Sequence, residues 1–194
     1  MGSNMVLRLS PTMPMTDTSP SIAPLLIIGA GLAGWTTVRE FRKLDTTTPV
    51  VLVTADSGDF YAKPTLSNAN AQKRTPAQLV STPAAKMAET LNVTLLAHHQ
   101  VQSLDTAAQT AIVTHNGHTQ TLRYRQLVLA TGAHPIRIPV AGSAADQVKS
   151  INNLDDFAAF HQALGLDPNA AAQTTPTTVV IMGAGLIGCE FAND

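Results

Sequence analysis

The sequence predicts an α/β protein with a parallel sheet and a small antiparallel insert. Apolar runs of strand length alternate with helical patterns, a hairpin signal interrupts this alternation, and two apolar runs end in clusters of glycine. Hydrophobic residues make up 44% of the 194 residues, as expected of a globular chain. Charged residues make up only 13% and the net charge is −1, which gives no electrostatic case for nucleic acid or an anionic membrane as a partner.

The N-terminal segment 1–24 is predicted to be a disordered tail, since it is rich in Ser, Thr, Pro and Met and lacks the apolar core of a signal peptide. Met13 or Met15 is an alternative natural start within it. No apolar run reaches the ~18 residues that a membrane-spanning helix needs. Cys189 is the only cysteine, which excludes an internal disulfide and makes the cytoplasm the default compartment.

Apolar periodicity and turn signals place the elements along the chain. The predicted elements are a strand Leu25–Ile28, a helix from about Leu32 to Leu44, a strand 50–54, a helix and then a strand within 82–97, a hairpin region 101–129, a helix within 152–166 capped by Asn152 or Asn153, a linker 167–178 and a strand 179–182. Asn116 and Gly117 mark the hairpin turn. Ser67 and Asn68, in a polar loop, are a further candidate helix start.

The first glycine cluster has the spacing of a dinucleotide-binding fingerprint. Gly29, Gly31 and Gly34 form a GxGxxG motif that follows an apolar strand and opens a helix. Gly29 permits the tight turn, Gly31 lets a pyrophosphate approach the backbone, and Gly34 lets the helix pack closely on the strand. The helix N-terminus adds free N–H groups and a positive dipole end. A purely structural glycine turn is the weaker alternative, because a second predicted strand completes the βαβ context.

Two further strand ends carry candidate cofactor contacts. Asp56 lies two residues after Thr54, where a carboxylate would accept bonds from ribose hydroxyls and the threonine would do so more weakly. Asp56 is equally well explained as a turn residue. The small residues 130–132 would let a cofactor approach another strand end, or would form an ordinary turn.

A second GxGxxG motif, formed by Gly183, Gly185 and Gly188, ends the last predicted strand. The two motifs lie 154 residues apart (183 − 29), too far for one βαβ unit of ~30 residues. Two dinucleotides on two domains are therefore predicted. An enzyme that needs both together most simply passes a hydride between a nicotinamide and a flavin.

Four stretches make the sequence resemble the FAD-dependent pyridine nucleotide oxidoreductases: IIGAGLAG, YAKPTLSNA, LVLATGAHPIRIPVAG and GAGLIGCEFAND. The second and fourth point to the branch of that family that reduces rubredoxin. The resemblance implies a Rossmann-like FAD/NAD(P)-binding fold. It assigns 25–144 to the first half of a FAD-binding domain and 145–194 to the start of an incomplete NAD-binding domain. The chain is therefore expected to match the front of a longer enzyme and to be inactive alone.

The same resemblance implies roles for individual residues and names no catalytic one. Grouped by the part of FAD that they would contact, they are Ala30, Gly31, Leu32 and Ala33 for the pyrophosphate, Thr54, Ala55 and Asp56 for the adenosine ribose, Val101 for the adenine, Thr131 and Gly132 for the lining of the site, and Lys63 for the flavin. Glu190 would face the region where isoalloxazine and nicotinamide meet. The alternative for Lys63 is a solvated loop charge, and the alternative for Glu190 is an acid in the first turn of a helix.

The implied activity is hydride transfer from NADH to FAD, followed by delivery of single electrons to a small iron protein such as rubredoxin. Disulfide reductases of this fold need a cysteine pair beside the flavin, and Cys189 stands alone, so thiol chemistry is disfavoured. An NADH oxidase or ferredoxin reductase of the same fold is one alternative, and a non-catalytic FAD-binding module is another. The choice between NADH and NADPH and the oligomeric state stay open.

The six histidines do not predict a metal site. His98 and His99 are adjacent, so a strand would point them to opposite faces. His115 and His118 flank the hairpin turn and are expected to be exposed. Since structural zinc sites need about four convergent ligands, no metal is expected.

Overall fold

The computed structural model of the protein describes residues 22–166 and 178–194. The predicted tail 1–24 and the predicted linker 167–178 lie almost entirely outside these residues, so both stay predictions. Within the described ranges, no helix is long and apolar enough to cross a membrane.

Strands and helices alternate as an α/β fold requires. The strands of the described residues are β1 Leu25–Ile28, β2 Val50–Val53, β3 Thr94–Leu96, β4 Gln100–Asp105, β5 Thr110–His115, β6 His118–Arg123 and β7 Gln126–Leu129. The α-helices are α1 Leu32–Leu44, α2 Pro76–Leu79, α3 Ala84–Leu91, α4 Leu154–Ala163 and α5 Leu186–Asn193, with 3-10 helices at Lys63–Asn68 and Ala145–Gln147. The predicted fold class is confirmed.

Four of the strands form a parallel sheet of order β3-β2-β1-β7. Parallel neighbours need a crossover connection, and α1 supplies the one between β1 and β2. Ile28, the last residue of β1, lies opposite Val53 of β2 and Leu129 of β7. The three strands end at these residues, so their carboxyl ends meet at one edge of the sheet.

Alternate residues of β1 contribute to two separate parts of the core. Ile27 packs on the face covered by helices, together with Trp35 of α1 and Met87 of α3. Leu26 packs on the opposite face with Val113 of the antiparallel sheet β4-β5-β6. Both faces of the parallel sheet are therefore covered, which explains why β1 and β2 are almost continuously apolar.

The hairpin and the cap of α4 follow their sequence signals. Asn116 and Gly117 have φ values of 48° and 78°, the left-handed values that a type I′ turn between β5 and β6 requires. The Asn153 side chain accepts a hydrogen bond from the N–H of Asp156 at 2.7 Å and caps α4. Both predictions are confirmed, and Asn153 rather than Asn152 is the cap.

Two local predictions are wrong. Ser67 and Asn68 end a 3-10 helix rather than begin a helix, because Pro64 lies in the first turn of that 3-10 helix and starts it earlier. Segment 179–182 is not a strand, since none of the described strands pairs with its backbone. Its side chains are exposed, with Val180 82% accessible.

Asp45 organises the turn between α1 and β2. Its Oδ1 accepts hydrogen bonds from the backbone N–H groups of Thr47 and Thr48, both at 2.8 Å, and its Oδ2 accepts one from the Thr48 hydroxyl at 2.5 Å. The bonds from Thr48, and then those from Thr47, hold the pKa of the Asp45 carboxyl well below its ordinary value of 3.8.

We predict that Asp45→Ala lowers the free energy of unfolding at pH 7 and that this loss depends on pH. A carboxyl whose pKa is lowered in the folded state stabilises the fold above its unfolded pKa of about 4, and the contribution disappears as the pH falls below that value. The difference in urea midpoint between parent and variant should be constant from about pH 7 to 5 and shrink below about pH 4.

The control is Glu40→Ala, which removes an exposed carboxylate of α1 whose ionic partner among the described residues is Lys43. It should change the midpoint little at any of these pH values, because exposed ion pairs contribute little. An Asp45→Ala difference that stays constant as the pH falls would contradict the assigned role of the hydrogen bonds.

Candidate dinucleotide-binding site

The first glycine motif forms the connection from β1 to α1 at the edge where three strands end. Gly31 is the cap residue of α1, and no side chain donates or accepts a capping hydrogen bond there. The first amides of a helix have no partner within the helix, so they are available to an anion. In this sheet order β1 lies between β2 and β7, where crossovers leave in opposite directions and ligands of open α/β sheets bind.

The three glycines of the motif differ in what surrounds them. Gly29 has a φ of 106°, and a Cβ there would collide with the carbonyl of Ala130. A Cβ on Gly34 would collide with the carbonyl of Gly29. A Cβ on Gly31 would meet nothing within 4 Å. Gly29 and Gly34 are therefore required by packing, whereas the space at Gly31 is open and fits the close approach of a pyrophosphate.

The end of β2 carries the candidate ribose contacts. Thr54 is buried, and its hydroxyl donates to Asp56 Oδ1 at 2.6 Å. The same oxygen accepts a hydrogen bond from the N–H of Gly58 at 3.0 Å, so Asp56 does organise a turn. Trp35 donates from Nε1 to the Gly58 carbonyl at 2.8 Å and fixes this turn against α1. The hydrogen bonds that Asp56 would accept from ribose hydroxyls stay a prediction, as does the role of the exposed Ala55.

Three more predicted contacts follow β7 or lie on β4. Gly132 follows β7 with a φ of 67°, and a Cβ there would meet nothing within 4 Å. Ala130 donates from its N–H to the Ile28 carbonyl at 2.8 Å, which brings the end of β7, and with it Thr131, beside the first glycine motif. Val101 lies on β4 and packs half-buried against the core below the sheet.

Lys63 is exposed but is not an isolated loop charge. Its Nζ donates to Asn152 Oδ1 at 2.7 Å, and Asn152 Nδ2 donates to the Ala133 carbonyl at 3.0 Å. This chain of hydrogen bonds ties the 3-10 helix Lys63–Asn68 to the connection that follows β7. Glu190, the other charged residue assigned to the region of the flavin, accepts a hydrogen bond from Ser67, and the salt bridges of the described residues do not include a pair between Lys63 and Glu190.

The second glycine motif repeats the geometry of the first. Gly183 has a φ of 110°, and a Cβ on Gly188 would collide with the Gly183 carbonyl. Gly185 caps α5 without a side-chain hydrogen bond, and a Cβ there would meet nothing within 4 Å. The open central glycine and the uncapped helix therefore occur twice in the chain, and both fit the phosphates of a dinucleotide.

Helix α5 is docked on the 3-10 helix Lys63–Asn68. Glu190 Oε2 accepts a hydrogen bond from Ser67 Oγ at 2.6 Å. The Asp194 carboxylate accepts from the N–H groups of Asn70 and Ala71 at 3.1 and 2.8 Å. Glu190 is the fifth residue of α5, so the alternative of a first-turn acid is wrong. The sequence analysis did not predict these contacts of Ser67 and Asp194, although both residues stand in the stretches that carry the family resemblance.

The histidine predictions are wrong in two details. His98 has a φ of 56° and lies with His99 in the turn after β3, not in a strand, because the chain reverses there toward β4. The ring of His99 stacks on that of His115 with centroids 4.5 Å apart, so His115 is half-buried rather than exposed, whereas His118 is exposed as predicted. Within the described ranges, no three His, Cys, Asp or Glu side chains gather as metal ligands, and the absence of a metal stays a prediction.

Known proteins resemble the chain over most of its length. Residues 23–194 match the family described as pyridine nucleotide-disulphide oxidoreductase. Rubredoxin-NAD(+) reductases of Acinetobacter baylyi and Alcanivorax borkumensis are 41% and 42% identical over 171 residues, which cover 88% of this chain and 42% and 41% of theirs. The crystal structure of NADH:rubredoxin oxidoreductase from Clostridium acetobutylicum has the same fold, with a TM-score of 0.64 and 20% identity over 88% of this chain and 41% of that one.

The fold and the two glycine motifs together define an α/β protein of the dinucleotide-binding class. The chain belongs to the pyridine nucleotide-disulphide oxidoreductase family, since nearly all of it matches that family. The family resemblance inferred from four short stretches is confirmed. The chain spans about two fifths of the length of the two curated relatives, so the activity and partners of a whole protein are matters of proposal.

We predict that Gly34→Ala destabilises the fold and that Gly31→Ala does not. Gly34→Ala forces a methyl group against the Gly29 carbonyl and should lower the free energy of unfolding by at least about 2 kcal/mol. Gly31→Ala places its methyl group in open space at an extended φ of −72° and should leave thermal unfolding almost unchanged. Equal unfolding temperatures for the two variants would contradict this division between packing and open space.

Proposed function

We propose that this chain provides the first half of the FAD site and the beginning of the NADH site of a reductase that takes hydride from NADH. The reductase passes single electrons to a small iron protein such as rubredoxin. The observation that carries the proposal is the presence of two glycine motifs in one chain, each with an open central glycine and an uncapped helix N-terminus. The similarity to two rubredoxin-NAD(+) reductases supports the choice of acceptor.

The residues of the first motif would bind the pyrophosphate of FAD. The backbone N–H groups at the start of α1 point to the open space at Gly31, and the positive end of the helix dipole favours a negative charge there. Around this space, the residues assigned to the rest of FAD are Ala30, Leu32, Ala33, Thr54, Ala55, Asp56, Val101, Thr131 and Gly132. The second motif would hold the pyrophosphate of NADH in the same way.

Lys63 and Glu190 would lie closest to the reacting rings. FAD, when bound, accepts a pair of electrons as hydride and releases them one at a time. Asn152 holds the Lys63 ammonium, so a positive charge is kept in one place beside the end of β7. A fixed positive charge there would stabilise the negative charge of a reduced flavin.

The cysteine content of this sequence supports the choice of a one-electron acceptor. Cys189 is the only cysteine of the 194 residues and lies exposed on α5. A dithiol mechanism needs two neighbouring cysteines, so these residues do not supply one. A one-electron acceptor agrees with this composition. The limits 25–144 and 145–194 remain our proposal for the two nucleotide-binding regions, although α4 and α5 both contact the 3-10 helix Lys63–Asn68.

We predict that Gly31→Glu abolishes FAD binding. The carboxylate would fill the open space at the centre of the motif and repel the pyrophosphate. The measurement is the flavin absorbance retained after gel filtration of protein incubated with FAD. Gly31→Ala serves as the control for folding, because its methyl group meets nothing within 4 Å. Equal flavin retention by the parent and Gly31→Glu would refute the site.

We predict that the 194-residue chain alone gives no steady oxidation of NADH. Three apolar side chains beside the second motif are exposed: Val180, Met182 and Leu186. The described residues would therefore contact the phosphates of NADH but would not enclose its nicotinamide. NADH absorbance should be followed with added FAD and a one-electron dye. The comparison is a protein that joins this sequence to the additional length found in its relatives. Equal turnover by both would show that the nicotinamide site lies elsewhere.

A further inference from the structure

Two carboxylates join the second glycine motif to the rest of the described fold. Glu190 lies on α5, and Asp194, four residues later, is the residue at the C-terminal cap of that helix, so the two side chains lie on the same side. Both carboxylates accept hydrogen bonds from the segment 67–71. Asp194 binds backbone N–H groups, which any sequence would provide, whereas Glu190 binds a side chain, Ser67, that a substitution can remove.

Ser67 is unusual among the polar residues of this region because it is only 4% exposed. Its hydroxyl donates to Glu190 Oε2 at 2.6 Å and also lies 3.2 Å from the Pro64 carbonyl. A hydrogen bond from a hydroxyl to a carboxylate is short and stronger than one between neutral groups. A buried hydroxyl without such a partner would be costly.

We propose that Ser67 is a positioning residue that holds the Glu190 carboxylate and thereby keeps α5 in a fixed position against the 3-10 helix that carries Lys63. This inference rests on the proposed function, since it assigns Glu190 to the region of the flavin. Lys63 is itself held by Asn152, so both charged side chains proposed for that region are fixed by a neutral side chain. Ser67 thus links the 3-10 helix Lys63–Asn68, proposed to lie beside FAD, to α5, proposed to bind NADH.

A nearby hydroxyl provides a matched control. Thr65 lies on the same 3-10 helix, and its hydroxyl donates to the Ala62 carbonyl at 2.7 Å, within its own turn. Thr65→Ala therefore removes a hydroxyl and a hydrogen bond from this helix without touching α5. Ser67→Thr keeps the donor, and Glu190→Gln keeps an acceptor oxygen for Ser67 while it removes the negative charge.

The first measurement needs no cofactor. Cys189 is exposed on α5 and is the only cysteine, so a nitroxide label attached to it reports the motion of that helix in the full chain. Ser67→Ala should shift the label to shorter rotational correlation times, whereas Ser67→Thr, Glu190→Gln and Thr65→Ala should match the parent. Equal mobility in Ser67→Ala and the parent would overturn the link between Ser67 and α5.

The second measurement is the reduction potential of bound FAD, determined by equilibration with a reference dye. Ser67→Ala and Glu190→Gln should both make the potential less negative, because the first releases the carboxylate and the second neutralises it. Ser67→Thr and Thr65→Ala should match the parent. An unchanged potential in Ser67→Ala, despite a more mobile label, would overturn the positioning role and leave Ser67 as a tether of the helix. A parent that binds no FAD would contradict the proposed function instead, and the label would still decide the link.

Discussion

The close contact between Gly34 of α1 and the carbonyl of Gly29 is the constraint on which the site depends. A side chain at position 34 would collide with that carbonyl, so only glycine lets α1 lie directly against the end of β1. The helix therefore starts at the sheet edge, with its free N–H groups turned toward the open space at Gly31. Trp35, the next residue, bonds the carbonyl of Gly58 and so fixes the turn that follows β2.

The same constraint occurs again where Gly188 meets the carbonyl of Gly183, but the surroundings differ. The first motif is enclosed by β2 and β7, which pair with β1 on either side. None of the described strands flanks the second motif, and its helix is held instead by Glu190 and Asp194 and by the packing of Phe191 on Phe160. The parallel sheet therefore positions the first motif, whereas contacts of α5 position the second.

Local signals in the sequence were sufficient for much of this fold. Helix α1 has the predicted bounds because the signals that define it, apolar periodicity and the glycine motif, lie within a few residues of each other. The turn at Asn116 and Gly117 was predicted correctly because it needs only the backbone freedom of those two residues. Features that depend on a partner far away in the sequence were predicted wrongly or were not predicted. Segment 179–182 has strand composition but pairs with none of the strands that the structure describes, and the bond from Ser67 to Glu190 joins residues 123 positions apart.

We propose that the first glycine motif, rather than the second, binds FAD through its backbone. Amide hydrogen exchange of the 194-residue chain with and without FAD tests this most directly, because it reports on the N–H groups themselves. We expect FAD to slow exchange at 30–34 and 54–56 and to leave exchange at 184–188 unchanged. Slowing confined to 184–188, or no slowing at either motif, would contradict it.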